Sequence, residues 1–178
     1  MTGGRTNRRN RRPGGTTLRI LIAGTGNLFL RDDAFGTEVV RRLAAGGLPP
    51  HVRAVDYGIR GTHLAFDLLD GWDALVLVDA LPDTGEPGAL RVLEVGTDDL
   101  GTDDLGPGGL PDAHGMDPGS VLAGLGALGG RLPRTVVVGC QVADVTEGIG
   151  LSAPVADAVD RGVTTVRALL RSMVVGTG

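Results

Sequence analysis

Lysine is absent from this 178-residue chain; all seventeen basic residues are arginine. A lysine nucleophile or Schiff base is therefore excluded. The single cysteine, Cys140, rules out an intrachain disulfide and any cysteine-based zinc site. It also fits a reducing cytoplasm, which is the expected location. Aromatic residues are only 3% of the sequence. That is too few for stacking platforms on single-stranded nucleic acid, so no nucleic-acid partner is expected. No run approaches the roughly 18 apolar residues of a membrane span, so no membrane association is expected. No G-x-S-x-G elbow follows a strand pattern, and Ser120, Ser152 and Ser172 lie in or at the start of helical patterns.

What remains is ordinary in bulk and uneven in placement. Hydrophobic residues are 42% and charged residues 21%, as in soluble globular proteins. One domain of this length buries about 70% of its unfolded surface without a disulfide or metal staple. The net charge of −4 divides into +5 over residues 1–17 (five Arg, no acid) and −9 over the rest (12 Arg, 21 acids). Residues 1–17, rich in Arg, Gly, Thr and Asn, read as a disordered basic tail. The motif Arg8-Arg9-Asn10-Arg11-Arg12 looks like a twin-arginine export signal. The apolar run behind it is broken by Gly24, Gly26 and Asn27 and lacks a small-residue cleavage site, so it reads as a strand and loop.

Periodicity then predicts alternating elements. Residues 18–23 read as a buried strand, and Phe35, Val39 and Leu43 stripe a helix stopped by Gly46-Gly47 and Pro49-Pro50. Residues 51–56 alternate as a strand, 62–69 form a short helix, 74–78 form a continuous apolar strand ending at Asp79, and 90–95 form a fourth strand. Gly96-Thr97-Asp98-Asp99-Leu100 is copied at once as Gly101-Thr102-Asp103-Asp104-Leu105, followed by Gly106-Pro107-Gly108-Gly109. This reads as a flexible insertion near 96–112, with aspartates misspaced for an EF-hand. Asp117-Pro118 opens a helix whose apolar face is Val121, Leu122, Leu125 and Leu128. Residues 135–138 read as the last strand. Ser152 is expected to cap a final helix striped by Val155, Val159, Val163, Val166 and Leu170. The expected fold is α/β: a three-layer, mainly parallel twisted sheet of about five strands with helices on both faces, in a single domain over 18–178.

Asp33, Asp79 and His114 each fall where a strand, or the loop after it, gives way to a helix. In α/β sheets such positions gather at one edge, where ligands bind. Two carboxylates and an imidazole there suit a hard-to-borderline metal ion and leave room for outside ligands. Asp79 has no convincing helix to cap, since Ala80-Leu81-Pro82 follows it. A lone loop histidine such as His114 is, by itself, more often an exposed bystander. Gly24-Thr25-Gly26-Asn27 invites a dinucleotide reading, but Phe29 stands at the third glycine position and Asp32-Asp33 would repel phosphate. Glycine for a tight turn and Asn27 bonding local backbone is the plainer reading. His51 and His63 are expected on the surface. Cys140 is expected as a small buried apolar side chain.

The run Ile20-Leu21-Ile22-Ala23-Gly24-Thr25-Gly26-Asn27-Leu28, with Asp32-Asp33-Ala34-Phe35-Gly36 after it, resembles the opening of the nickel–iron hydrogenase maturation endopeptidases. Asp56-Tyr57-Gly58-Ile59-Arg60-Gly61 is similar to that family's Asp-Gly-Gly-Thr-x-Gly-like turn, with Tyr57 in place of a Gly. Residues 75–80 resemble its third strand. Gly139-Cys140-Gln141-Val142-Ala143-Asp144, then Gly148-Ile149-Gly150-Leu151-Ser152, resemble its C-terminal stretch. The likeness runs in order through 18–174 and is thinnest at about 82–112. It implies an endopeptidase that removes the C-terminal tail of a hydrogenase large-subunit precursor after nickel insertion. It further implies that the precursor supplies the nickel, that no organic cofactor takes part, and that Asp33, Asp79 and His114 contact the metal. Asp33 and Asp79 are also the candidates for catalytic work; Asp33 is one methylene shorter than the Glu that relatives can carry. Two other functions stay open: a non-cleaving relative that chaperones the precursor, and an unrelated nucleotide-binding α/β module.

Overall fold

The structure, a computed structural model, describes residues 17–95 and 118–175. The basic tail up to residue 16, the insertion at 96–112 and His114 lie outside the described residues.

The chain runs β1 (Ile20–Thr25), a 3-10 turn (Arg31–Ala34), α1 (Phe35–Ala45), β2 (Val52–Gly58), α2 (Gly61–Leu68), β3 (Ala74–Leu81) and β4 (Leu90–Val95). After the undescribed segment come α3 (Pro118–Ala127), β5 (Arg134–Gln141) and α4 (Ala153–Val175). The five strands stand in the order β2-β1-β3-β5-β4. All pairings are parallel except β4 on β5. The mainly parallel α/β architecture read from the sequence is the one observed.

Alternation along each strand explains the layers. Ile20 and Ile22 of β1, Val76 and Val78 of β3, and Val136 and Val138 of β5 face a core closed by α1 and α4. Leu21 and Ala23, Leu75 and Leu77, and Val137 face a second core closed by α2 and α3. Both faces are covered, which is why these strands read as unbroken apolar runs. Phe35, wholly buried, anchors the α1–α4 face; its truncation to Ala would cost about 3–5 kcal/mol. The edge strand β4 is mostly exposed, and Glu94 pairs with Arg134 beside it. Charge on an open edge discourages pairing with other chains. Among the described residues no helix is long and apolar enough to cross a membrane.

Three expectations need correction. Asp79 does not end β3: the ladder continues through Asp79–Gly139, Ala80–Cys140 and Leu81–Gln141. Ala80 and Leu81 are buried and keep the strand in the sheet. Gly139 makes room for Leu81, whose Cδ1 would lie 2.3 Å from any β-carbon placed there. Leu128 lies beyond α3 and is exposed, so it is not part of that helix's apolar face. Ser152 does stand at the head of α4, and its carbonyl accepts the Ala156 amide at 2.8 Å. Its hydroxyl, however, turns away to bond Asp32 instead of capping the helix.

Strand order places the candidate site. From β1 the chain departs toward β2 on one side, and from β3 toward β4 on the other. Their carboxyl ends therefore diverge around a crevice, the switch point at which sheets of this kind bind ligands. Asp33 follows β1, and Asp79 lies near the end of β3.

Candidate active site

Glycines bring the loop after β1 down onto the sheet. Gly26 has φ of +131°, and a β-carbon there would lie 1.7 Å from the Asp33 carbonyl oxygen. Only glycine lets the loop double back so closely. At Gly36, in the first turn of α1, a β-carbon would meet the Val78 carbonyl at 2.1 Å and that of Thr25 at 2.4 Å. The start of α1 is thus pressed into the seam between the ends of β1 and β3, and it carries Asp33 to that seam. Asp33 Oδ2 accepts the Asn27 amide at 2.7 Å. Asn27 Oδ1 in turn accepts the Phe29 amide at 3.0 Å, the local bond expected of it.

Asp79 Oδ1 accepts the Ala80 amide at 2.9 Å. The Thr25 hydroxyl donates to the Val78 carbonyl at 3.3 Å and, from beside the Asp79 carboxylate, favours its charged form. Asp79 as a residue keeps some accessible surface, yet its carboxyl is heavily desolvated. That desolvation raises its pKa to about 7, against the bonds from Ala80 and Thr25 and with the help of the negative charge on Asp33. A carboxyl poised near neutrality can accept or release a proton at working pH.

The two aspartates singled out by sequence therefore lie at the same edge of the sheet, and the negative charge of Asp33 is the least of the influences on Asp79. His114, the third, lies outside the described residues. Among the described residues no group of three or more His, Cys, Asp or Glu side chains could hold a metal, so the described part of the site is a carboxylate pair. Two mutually repelling carboxylates in a desolvated crevice fit an oxygen-preferring to borderline divalent cation, which would cancel their repulsion.

Asp32 is the residue supporting the candidate site that sequence reasoning passed over. It is fully buried. Its carboxylate accepts the amides of Ala143 (2.8 Å), Asp144 (2.9 Å) and Ser152 (2.6 Å) and the Ser152 hydroxyl (2.8 Å). Asp32 thereby ties the loop after β1 to the loop after β5. The turn over residues 31–34 has three residues per turn, so successive side chains point about 120° apart. Asp32 and Asp33 consequently serve different partners. Arg31, just before them, holds φ of +47°, uncommon for a residue with a side chain. It is secured by its amide on the Gly148 carbonyl (3.2 Å) and by an ion pair with Asp144 (3.3 Å).

Other motif residues take structural posts. The Asp56 carboxylate accepts the Thr37 hydroxyl and the Gly58 amide, each at 3.0 Å, and Arg41 Nε at 3.2 Å. Tyr57, the departure from the family turn, is buried in the α2–α3 core with its hydroxyl donated to Asp67. Burial first, and Asp67 next, push its phenol above the ordinary range. Cys140 is buried, and burial lifts its thiol to about 11, so it packs as a small apolar side chain and is no nucleophile. Gln141, also buried, accepts the Thr84 and Glu86 amides at 3.1 and 3.2 Å, fastening the loop after β3. His63 is exposed and His51 half-buried. The amide of Asn27, which a phosphate cradle would need free, is taken by Asp33.

The comparisons with known proteins agree with one another. The model of a family described as hydrogenase maturation protease matches residues 37–168, a stretch that contains Asp79 but begins after Asp33. A putative hydrogenase maturation protease of Methanocaldococcus jannaschii is 34% identical over 151 residues, covering 83% of this chain and 93% of that protein. Among solved structures, the hydrogenase-maturating endopeptidase HybD from Escherichia coli superposes with a TM-score of 0.70 at 27% identity, over 88% of this chain and 94% of its own. The nickel–iron hydrogenase maturation protease HybD from Thermococcus kodakarensis gives 0.69 at 26% identity, over 86% and 99%.

Proposed function

The chain belongs to the hydrogenase maturation protease family, a family of endopeptidases, and from that premise we propose that it removes the C-terminal tail of a nickel–iron hydrogenase large-subunit precursor once nickel has been inserted. The observation that carries this reading is the family match together with the position of Asp33 and Asp79 at the switch-point edge of the sheet. Nickel arrives with the substrate, and no organic cofactor takes part. Asp33 and Asp79 supply oxygen ligands, and His114 supplies the third contact. When engaged, the ion supplies Lewis acidity to the carbonyl beside it.

The protein's own contribution is proton handling and orientation. Asp79, whose carboxyl burial lifts to about 7 in the metal-free protein, gives up its proton when the cation engages it; a free oxygen of one of the two aspartates then takes a proton from the attacking water and passes it to the departing amine. Asp33, oriented by the Asn27 amide, sets the negative field that tunes Asp79. A precursor without its metal offers nothing to relieve the repulsion of the two carboxylates and is left uncut. Processing of this kind belongs in the cytoplasm, in keeping with the single, unpaired cysteine.

Mass spectrometry of precursor mixed with the protein tests this directly. A loss equal to the tail should appear with nickel-loaded precursor and not with metal-free precursor, and Asp79→Asn should abolish it. Cleavage that persists in the variant would refute the assignment of Asp79. A loaded precursor that binds yet keeps its tail would make the protein a chaperone.

A further inference from the structure

The three most exposed large apolar side chains among the described residues are Ile149 (79%), Phe29 (66%) and Ile59 (59%). Apolar side chains scattered singly over a surface carry no message. These three are not scattered. They sit in the loops after β5, β1 and β2, at the same edge of the sheet as the carboxylate pair. The backbone stitches the three loops together. The Gly148 amide donates to the Phe29 carbonyl at 2.8 Å, and the Gly26 amide donates to the Gly58 carbonyl at 3.1 Å. Leu30 and Gly148 form an isolated parallel bridge, and Asp32 locks residues 143–152 beneath it. Phe29 is four residues from Asp33, whose own amide bonds the Leu30 carbonyl at 3.1 Å.

We propose that Phe29, Ile59 and Ile149 form a rigid apolar rim that seats large apolar side chains of the substrate polypeptide close to the bond that is cut. This specificity role rests on the proteolytic reading above. The occupant is an extended stretch of substrate chain. A peptide bond delivered to Asp33 and Asp79 must cross the loop edge on which the rim stands. Because the loops are already fixed by backbone bonds, little freedom is lost on binding, and the apolar area converts efficiently into affinity. Charged Arg31, Arg60 and Glu147 stand within two residues of the three positions along the chain, so each apolar side chain has a polar neighbour in its own loop.

Steady-state cleavage of nickel-loaded precursor by the double variant Phe29→Ala/Ile149→Ala tests the rim. KM should rise about tenfold or more with kcat within twofold, the pattern of lost binding that is shared by ground and transition states. Phe29→Leu should keep most of the wild-type KM. Val92→Ala/Leu128→Ala, which removes exposed apolar groups elsewhere, should leave KM unchanged. Serine in place of apolar residues flanking the cut should raise KM for the wild type and add little for the double variant. An unchanged KM, or a change in self-association without one, would overturn the rim while leaving the protease reading intact. Absence of cleavage by the wild type would remove both.

Discussion

Asp32 and Asp79 are two desolvated carboxylates at the same edge of the sheet, and the fold treats them in opposite ways. Asp32 accepts three amides and a hydroxyl, every one a donor held by the loop after β5 or the head of α4. Asp79 has the amide next to it and a hydroxyl shared with a carbonyl, and it faces the charge of Asp33. A carboxylate given enough donors is content as an anion and becomes a fastening. One given too few holds its charge poorly, and that discomfort is useful for moving protons or meeting a cation. Forty-seven positions apart in the chain, the first kind fastens the loops at this edge of the sheet and the second kind is the one suited to chemistry there.

The contrast can be broken hardest at Asp32. Asp32→Ala should lower unfolding free energy by about 3–5 kcal/mol, because it strands buried donors that nothing replaces. Urea unfolding at pH 7 measures this; a loss below 1 kcal/mol would show that the bonds do little. Asp79 should respond with the opposite sign. Its folded pKa is about 7, raised from 3.8, so the folded state binds the extra proton between those values. Stability from this group is complete below about pH 4, falls as pH rises toward 7, and is flat above that. Asp79→Asn escapes the penalty. The variant should unfold like the wild type at pH 4 and be more stable by about 1–3 kcal/mol at pH 8. A variant destabilised at both pH values would refute the starved-carboxylate reading.

The smallest expected effect sharpens the same comparison. Thr25→Val keeps the shape of a buried side chain and deletes one donor to Asp79. The Asp79 carboxyl should titrate still higher, by a fraction of a pH unit to about one unit, as suits one lost hydrogen bond of about 1 kcal/mol. Carbon-13 NMR of the side-chain carboxyls reads it out; a downward shift would contradict the bonding described.

What could be read from sequence follows from which forces leave a periodic trace. β1, β3 and β5 were legible as continuous apolar runs because both sheet faces are covered, and α1 and α4 as stripes because one side of each is. The ends of β3 and β5 were not, since Asp79 looks like punctuation while the ladder beneath it is held by backbone bonds that any residue makes. That Asp33 and Asp79 reach the same edge of the sheet was legible, because polar residues toward the ends of apolar strands collect where the sheet ends. Asp32 was not: beside Asp33 it has the same chemistry, and only the tight turn that separates their directions assigns one to the frame and the other to the crevice. The Ser152 hydroxyl was misassigned for a related reason, since helix capping is a local rule and its actual acceptor is 120 residues away.

That long separation bears on when the protein becomes active. During synthesis, Asp33 and Asp79 leave the ribosome well before the amides of Ala143, Asp144 and Ser152 that immobilise the turn next to Asp33. A nascent chain halted short of those residues has both candidate carboxylates but lacks the donors that fix the turn beside Asp33. Competence thus waits on the final third of the polypeptide, a timer that keeps an incomplete protease from cutting anything.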